Sequence, residues 1–187
     1  MDLKKTCLVE LKQSGKLPIL IHSLHNKIER MKDMFNKFFK RALTLYELGC
    51  YDRAIENFNT AHRINPNYVD LYLSRARTYM KKNDYERAIT DYSKALEINP
   101  NIMEAILYRS FCFGKLSEIC PEIVIDKIEN LIEKQPNNYR LYCDRASFAE
   151  KNSNIKEAIK DYSLAIRLGP EPQMHIYENR ARLFIEI

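Results

Sequence analysis

The chain has 187 residues, 45% of them hydrophobic, with four glycines, seven prolines and a formal net charge of +5. That is enough apolar material for a continuous core and too little glycine and proline for a linker-rich or fibrous chain. Cys7, Cys50, Cys112, Cys120 and Cys143 are odd in number and include no C-x-x-C pair, which argues against a disulfide framework or a zinc site and for a reducing, cytoplasmic setting.

Residues 1–34 form the first segment. Glu10 and Lys12 interrupt the only apolar candidate before Pro18, so nothing there reaches the roughly 18 residues that span a bilayer. Leu8, Leu11, Gly15, Leu17, Leu20, Leu24 and Ile28 occupy offsets at which later units carry packing residues, so the segment reads as a degenerate repeat or cap, or equally as a helical extension. Lys32 stands where the later units carry proline. Without that stop, the stripe Ile28, Met31, Phe35, Phe38, Ala42 and Leu45 runs on at helical spacing and predicts one long helix from about Pro18 to Leu48. Residues 1–41 hold ten Lys or Arg against four Asp or Glu, a net of +6, while the remainder nets −1. Lys27, Arg30, Lys37 and Arg41 make a basic stripe that would suit an acidic partner, an anionic membrane surface or nucleic acid. A solvated helix face is the plainer account, because no aromatic platform for bases is interleaved.

From residue 35 the chain repeats itself. The segments YDRAIENFNTAHRINPN from Tyr51, YERAITDYSKALEINPN from Tyr85 and IKEAIKDYSLAIRLGPE from Ile155 are near copies, and the closing prolines Pro66, Pro100, Pro136 and Pro170 are spaced by 34, 36 and 34 residues. In the unit 69–102, Tyr72, Ala76 and Tyr79 share one helix face and Ala88, Tyr92 and Ala95 share a face of a second helix. Lys82, Asn83 and Asp84 suit a tight turn between them, and Asn99-Pro100 ends the second helix. Small alanines opposite large tyrosines make a packing code. The third unit departs from it, with two extra residues near Ser117 to Pro121 and the bulkier Val124, Ile128 and Leu131, so its second helix is expected off register.

Arg41, Arg75, Arg109, Arg145 and Arg180 recur on successive first helices, and Asp91 and Asp161 on two second helices. We read Arg75 with Asp91, and Arg145 with Asp161, as charge pairs within a repeat that set hairpin geometry. Catalysis finds little support: there is no Gly-rich phosphate loop, no G-x-S-x-G and no H-E-x-x-H. His22, His25 and Glu29 share a helix face but lack a further ligand, so they read as ordinary helix residues. Cys112 and Cys143 read as packing residues. No enzyme, cofactor or metal is expected.

At these offsets the chain resembles the tetratricopeptide repeat family. The match rests on Phe38, Ala42, Gly49, Tyr51, Ala54, Phe58, Ala61 and Pro66 in the first clear unit, on the residues quoted above in the second, and on Tyr142, Ala146, Ala158, Tyr162, Ala165 and Pro170 in the fourth. The resemblance implies an all-α, right-handed superhelical solenoid of stacked helix-turn-helix hairpins, with repeats at 35–68, 69–102, 103–138 and 139–172 and a capping or fifth first helix at 173–187. It further implies a concave groove lined by first helices: Phe39, Lys40, Leu43, Leu73, Ser74, Arg77, Lys81, Leu107, Tyr108, Phe111, Arg140, Cys143, Asp144 and Ser147. Such a groove, apolar in its N-terminal half and flanked by Lys40, Arg77 and Lys81, would hold an amphipathic helix or extended peptide with some acidic character. The family's chaperone-carboxylate clamp needs convergent Lys, Asn and Arg donors. The matching places hold Phe39 and Leu43, Ser74, then Glu104 and Tyr108, so that ligand is not expected.

The expected function is therefore a non-enzymatic scaffold that binds a protein or peptide, with nucleic acid and membranes not expected as partners. The alternatives are self-association through terminal helices and an adaptor role for the basic N-terminal helix. Tyr177, Arg180, Ala181 and Phe184 repeat the first-helix pattern and should dock on the fourth repeat. Leu183, Ile185 and Ile187 add apolar residues in other directions, so we expect either a continuation into a further repeat or a homodimer through this end.

Overall fold

The computed structural model describes residues 17–170 and 173–185, and among them there are nine α-helices and no strand. They are α1 (Leu17–Glu47), α2 (Tyr51–Ile64), α3 (Val69–Lys81), α4 (Tyr85–Ile98), α5 (Met103–Ile119), α6 (Pro121–Lys134), α7 (Tyr139–Lys151), α8 (Ile155–Leu168) and α9 (Met174–Ile185). The fold is an all-α helical-repeat solenoid. The chain divides into two compact units, residues 1–78 and 79–187. Leu8, Leu11, Gly15 and Ile187, which carried part of the sequence expectation, lie outside the described residues. None of the described helices is long and apolar enough to cross a membrane.

In the first unit α1 runs unbroken past Lys32, as the missing proline implies. Its Phe35, Ala42 and Leu45 join Ala54, Phe58 and Ala61 of α2 and Leu71 in one buried cluster. Backbone bonds from Gly49 N to Tyr46 O (3.0 Å) and from Cys50 N to Leu45 O (2.9 Å) close the end of α1 in a Schellman pattern. Gly49 has φ +72, and a Cβ there would meet nothing within 4 Å, so backbone conformation alone selects glycine at this turn.

The second unit repeats the device with other residues. Asp84 N bonds to Tyr79 O and Asn83 N to Met80 O, each at 2.9 Å, and Asn154 N to Ala149 O and Ser153 N to Glu150 O follow at 2.8 and 2.9 Å. Asn83 (φ 58) and Ser153 (φ 59) take the left-handed position of Gly49. Asp84 then caps α4, its carboxylate accepting from Arg87 N at 3.1 Å while the Arg87 side chain bonds it and lies over the Tyr79 ring. The packing code holds in both of these second helices: Ala88, Tyr92 and Ala95 are fully buried on α4, and Ala158, Tyr162 and Ala165 nearly so on α8.

The third hairpin is built differently. The two extra residues extend α5 to Ile119, and Cys120 alone, at φ −142, turns the chain into α6, which starts on Pro121. Proline at the first helical position gives up an N–H that would have had no partner there. The irregularity falls on α5 and not on α6 as expected, since Val124, Ile128 and Leu131 are buried at the offsets of Ala158, Tyr162 and Ala165. The buried residues of α5 are Ala105, Arg109, Cys112, Phe113 and Leu116, and Ser110 is exposed where Ala146 of α7 is fully buried. The inward face of α5 is thus turned about one residue round its axis.

α9 docks on α7 and α8, as expected, but through Ile176 and Leu183. Tyr177, Phe184 and Ile185 are exposed, at 37%, 60% and 87%, and Ala181 is exposed too. On α7 the corresponding Tyr142 and Ala146 face is covered together with the following α8. No described helix follows α9, so the same face stays open.

Replacing Ala88 by Leu should overpack a fully buried crossing and cost about 1–3 kcal/mol, read by urea unfolding. Asp84→Ala removes a cap and should cost about 1 kcal/mol. Burial works against the charged Asp84 carboxylate, yet the side-chain and backbone hydrogen bonds and the charge of Arg87 hold its pKa below the ordinary value. The folded pKa being depressed, this contribution is complete above the ordinary aspartate range and is lost as pH falls through the lowered value. The gap between wild type and Asp84→Ala should therefore close in acid, and a gap that is constant with pH would refute the ion-paired cap.

Candidate functional site: a cleft between first helices

Within the second unit the first helices of successive hairpins, α5, α7 and α9, enclose a cleft of about 610 Å³. Leu107, Arg140, Cys143, Asp144 and Ser147, all expected groove residues, line it. Asp144 is 8% exposed at the cleft wall, and Arg109 behind it is 2% exposed. Arg109 Nη2 donates to Asp144 Oδ2 at 2.8 Å and Ser110 Oγ to Asp144 Oδ1 at 2.6 Å, so two consecutive α5 residues hold one α7 carboxylate. Arg140 is fastened at the rim by a 2.8 Å bond from Nη1 to Pro100 O and lies over the Tyr139 ring. Lys151 reaches α5 where Gly114 has no side chain: a Cβ there would stand 3.1 Å from Lys151 Nζ.

These charges do not cancel inside the cleft. Arg109 neutralises Asp144, which leaves Arg140 and Lys151 as an excess of positive lining. Met103, Ile106, Leu107, Phe113 and Phe148 supply the apolar part. Burial pushes the Cys143 thiol up to about 12, with the charge of Asp144 adding to the effect, and burial alone does the same to Cys112. Neither forms a thiolate near neutrality, so neither is a candidate nucleophile. Among the described residues no three His, Cys, Asp or Glu side chains gather in a metal-binding group, and His22, His25 and Glu29 form none.

The other expected groove residues lie elsewhere. Tyr108 is outside the cleft, its ring parallel to that of Tyr92 with centroids 6.1 Å apart. Phe111 is 48% exposed and is also outside. Leu73 and Ser74 are 8% and 9% exposed and offer almost no binding surface. On α3 only the charged Asp70, Arg77 and Lys81 are exposed, and the shorter side chains on the same face, Leu73 and Ser74, are buried. Phe39 and Leu43 pack on the first unit's core, with Phe39 5.6 Å from Phe35 and 5.3 Å from Tyr68 between ring centroids. Lys40, Arg77 and Lys81 are exposed. Conversely, the expected set omitted His175, Ile176 and Asn179 of α9, which complete the cleft. Tyr177, Arg180 and Ala181 were the available signal, since in their register His175 falls at the offset of Arg140 and Asn179 at that of Asp144.

The ion pairs around the cleft follow the repeat and then break from it. Arg145 makes the expected pair inside its own hairpin, Nε to Asp161 Oδ2 at 2.7 Å and Nη2 to Oδ1 at 2.8 Å. In the third hairpin the place of Asp161 is taken by Lys127, which binds Glu86 of α4 at 2.9 Å. Arg109 has no carboxylate there and bonds instead to Asp144 of the next hairpin.

A helical-hairpin repeat protein with a cleft on its first helices is the class that this geometry defines. Three family models agree: a TPR repeat over residues 42–83 and tetratricopeptide repeats over 69–102 and 139–172, together just over half of the chain. The chain belongs to the tetratricopeptide repeat family. Its fold is similar to that of MamA, residues 41 to the end, from Desulfovibrio magneticus RS-1, at 16% identity and a TM-score of 0.50 over 82% of this chain and 85% of that one. The MamA RS-1 ArsTM double mutant gives 17% identity and a TM-score of 0.51 over the same shares. A comparison with curated proteins gives no match.

Asp144→Ala strands a buried guanidinium and should cost about 3–5 kcal/mol, whereas the double change Arg109→Met, Asp144→Leu should be close to neutral. Denaturant titration of both variants separates a buried pair of this kind from a dispensable surface contact.

Proposed function

We propose that the chain is a non-enzymatic scaffold that binds a segment of another protein, and that the α5–α7–α9 cleft is where it does so. The observation that carries this is the cleft itself: about 610 Å³, within the range of ordinary ligand sites, with apolar walls and a small set of fixed polar groups. Membership of a repeat family whose stacked first helices present such surfaces supports it. The excess positive charge from Arg140 and Lys151 favours a peptide that carries acidic side chains between apolar ones. Of the expected groove, Leu107, Arg140, Cys143, Asp144 and Ser147 belong to this proposed site, joined by His175 and Asn179. We place the protein in the cytoplasm, where the free thiols Cys50, Cys112, Cys120 and Cys143 stay reduced.

Leu107 is 61% exposed and lines the cleft, so Leu107→Glu should leave the melting temperature nearly unchanged. Peptides selected from a random phage library on the full chain should lose most of their binding to Leu107→Glu and to Ser147→Arg. Undiminished binding to both folded variants would exclude the cleft as the site.

A further inference from the structure

The N-terminal half of α1 presents an apolar seam that α2 does not cover. At 1.5 Å per residue α1 is about 46 Å long and α2 about 21 Å, so α2 is too short to face all of it. The covered part carries the buried Phe35, Ala42 and Leu45. Ahead of it Ile21, Leu24, Ile28 and Met31 are 44–57% exposed. The two parts are one seam. Apolar residues stand at 17, 21, 24, 28, 31, 35, 38, 42 and 45, alternating steps of four and three without a break. This is the heptad pattern by which one helix packs along another, with Ile21, Ile28, Phe35 and Ala42 at a and Leu17, Leu24, Met31, Phe38 and Leu45 at d.

The residues that flank the exposed seam decide its occupant. Its e and g positions are Pro18, His25 and Lys32 on one side and Leu20, Lys27 and Met34 on the other, with no acid among them. Glu29 and Asp33 lie at b and f, on the outer face, and Glu29 meets Lys32 at 2.8 Å across an exposed turn. A second copy in parallel would bring Lys27 against Lys32 of its mate. Residues 1–16 carry Lys4, Lys5, Lys12 and Lys16 against Asp2 and Glu10, which matches the sign of the seam and does not complement it. An anionic membrane surface prefers a basic outer face, yet here Glu29 and Asp33 outweigh Arg30 on that face.

We propose that residues 17–34 of α1 form a docking surface for an amphipathic helix of another protein, apolar at a and d and acidic at e and g, laid along the seam. The helix would cover Ile21, Leu24, Ile28 and Met31 and set its carboxylates opposite Lys27 and Lys32. The surface uses none of the cleft residues and does not depend on them.

The test uses the full chain and two labelled three-heptad peptides with Ile at a and Leu at d, one with Glu and one with Lys at every e and g. Fluorescence anisotropy should show the Glu peptide bound about tenfold or more tightly than the Lys peptide. The double variant Lys27→Glu, Lys32→Glu should invert that order, and Ile28→Asp should abolish binding of both peptides with unchanged circular dichroism. Equal binding of the two peptides, no binding of either, or binding that survives Ile28→Asp overturns the proposal. So does sedimentation as a dimer that Ile28→Asp dissociates in the absence of peptide, which assigns the seam to a second copy. Co-sedimentation with phosphatidylserine–phosphatidylcholine vesicles without peptide binding assigns it to a membrane and also overturns it.

Discussion

Close approach of the two helices in each hairpin is the constraint on which the other features rest. Ala42 and Ala54 in the first unit, and Ala146 and Ala158 in the second, are all fully buried, and each pair belongs to one core cluster with an aromatic residue beside it. With methyl groups at the crossing, two backbones come near enough for Phe58 or Tyr162 to fill the space on either side. A hairpin packed in this way still has one apolar flank uncovered. It buries that flank only on a neighbour, and a stack of hairpins is the result.

Polar contacts then fix how neighbours meet. Tyr72 donates to Pro66 O at 2.6 Å and Tyr142 to Pro136 O at 2.8 Å, so the same hydroxyl ties a first helix to the proline that ended the preceding repeat. The recurrent arginines reach back in the same way: Arg75 Nη1 donates to Asn59 Oδ1 at 2.7 Å and Arg180 Nη1 to Ser163 Oγ at 3.3 Å. Asn59 and Ser163 each follow the large aromatic residue of a second helix. The residue at that place in the second repeat is Ser93, whose buried Oγ has no partner, and the Nε of Arg109 has none either. Both orphans are accounted for by the pull of Asp144 on the Arg109 guanidinium. One arginine has exchanged its usual backward contact for a forward one.

The sequence legibly carried what depends on period: the helices, the tight turn at Lys82 to Asp84, the alanine and aromatic code, the uninterrupted α1 and the Arg145–Asp161 pair. It carried the groove less well, for a physical reason. Offset transfer assumes that every first helix shows the same face to the concave side. α3 exposes only Asp70, Arg77 and Lys81, which removes Leu73 and Ser74; α1 turns Phe39 into a ring cluster; and α5 is turned on its axis, which moves Tyr108 and Phe111 out of the cleft and Ser110 into it. Periodicity reports which residues repeat. It does not report how far one helix rolls when two residues are added to its end.

The place where the pattern fails is also the place where the cleft opens, and one substitution type connects the two. A carboxylate at residue 127 would give Arg109 the partner inside its own hairpin that Asp161 gives Arg145. Lys127 cannot do so and binds Glu86 instead. Arg109 bonds to Asp144 of α7 and, with Ser110, fastens the carboxylate that forms part of the cleft wall. A regular third repeat would have buried a small residue at Ser110 and left Asp144 without its guanidinium. Departures from local regularity in an otherwise consistent fold are where function is expected to reside, and here the departure supplies both the polar group on the wall and the charge balance that leaves Arg140 and Lys151 free of Asp144.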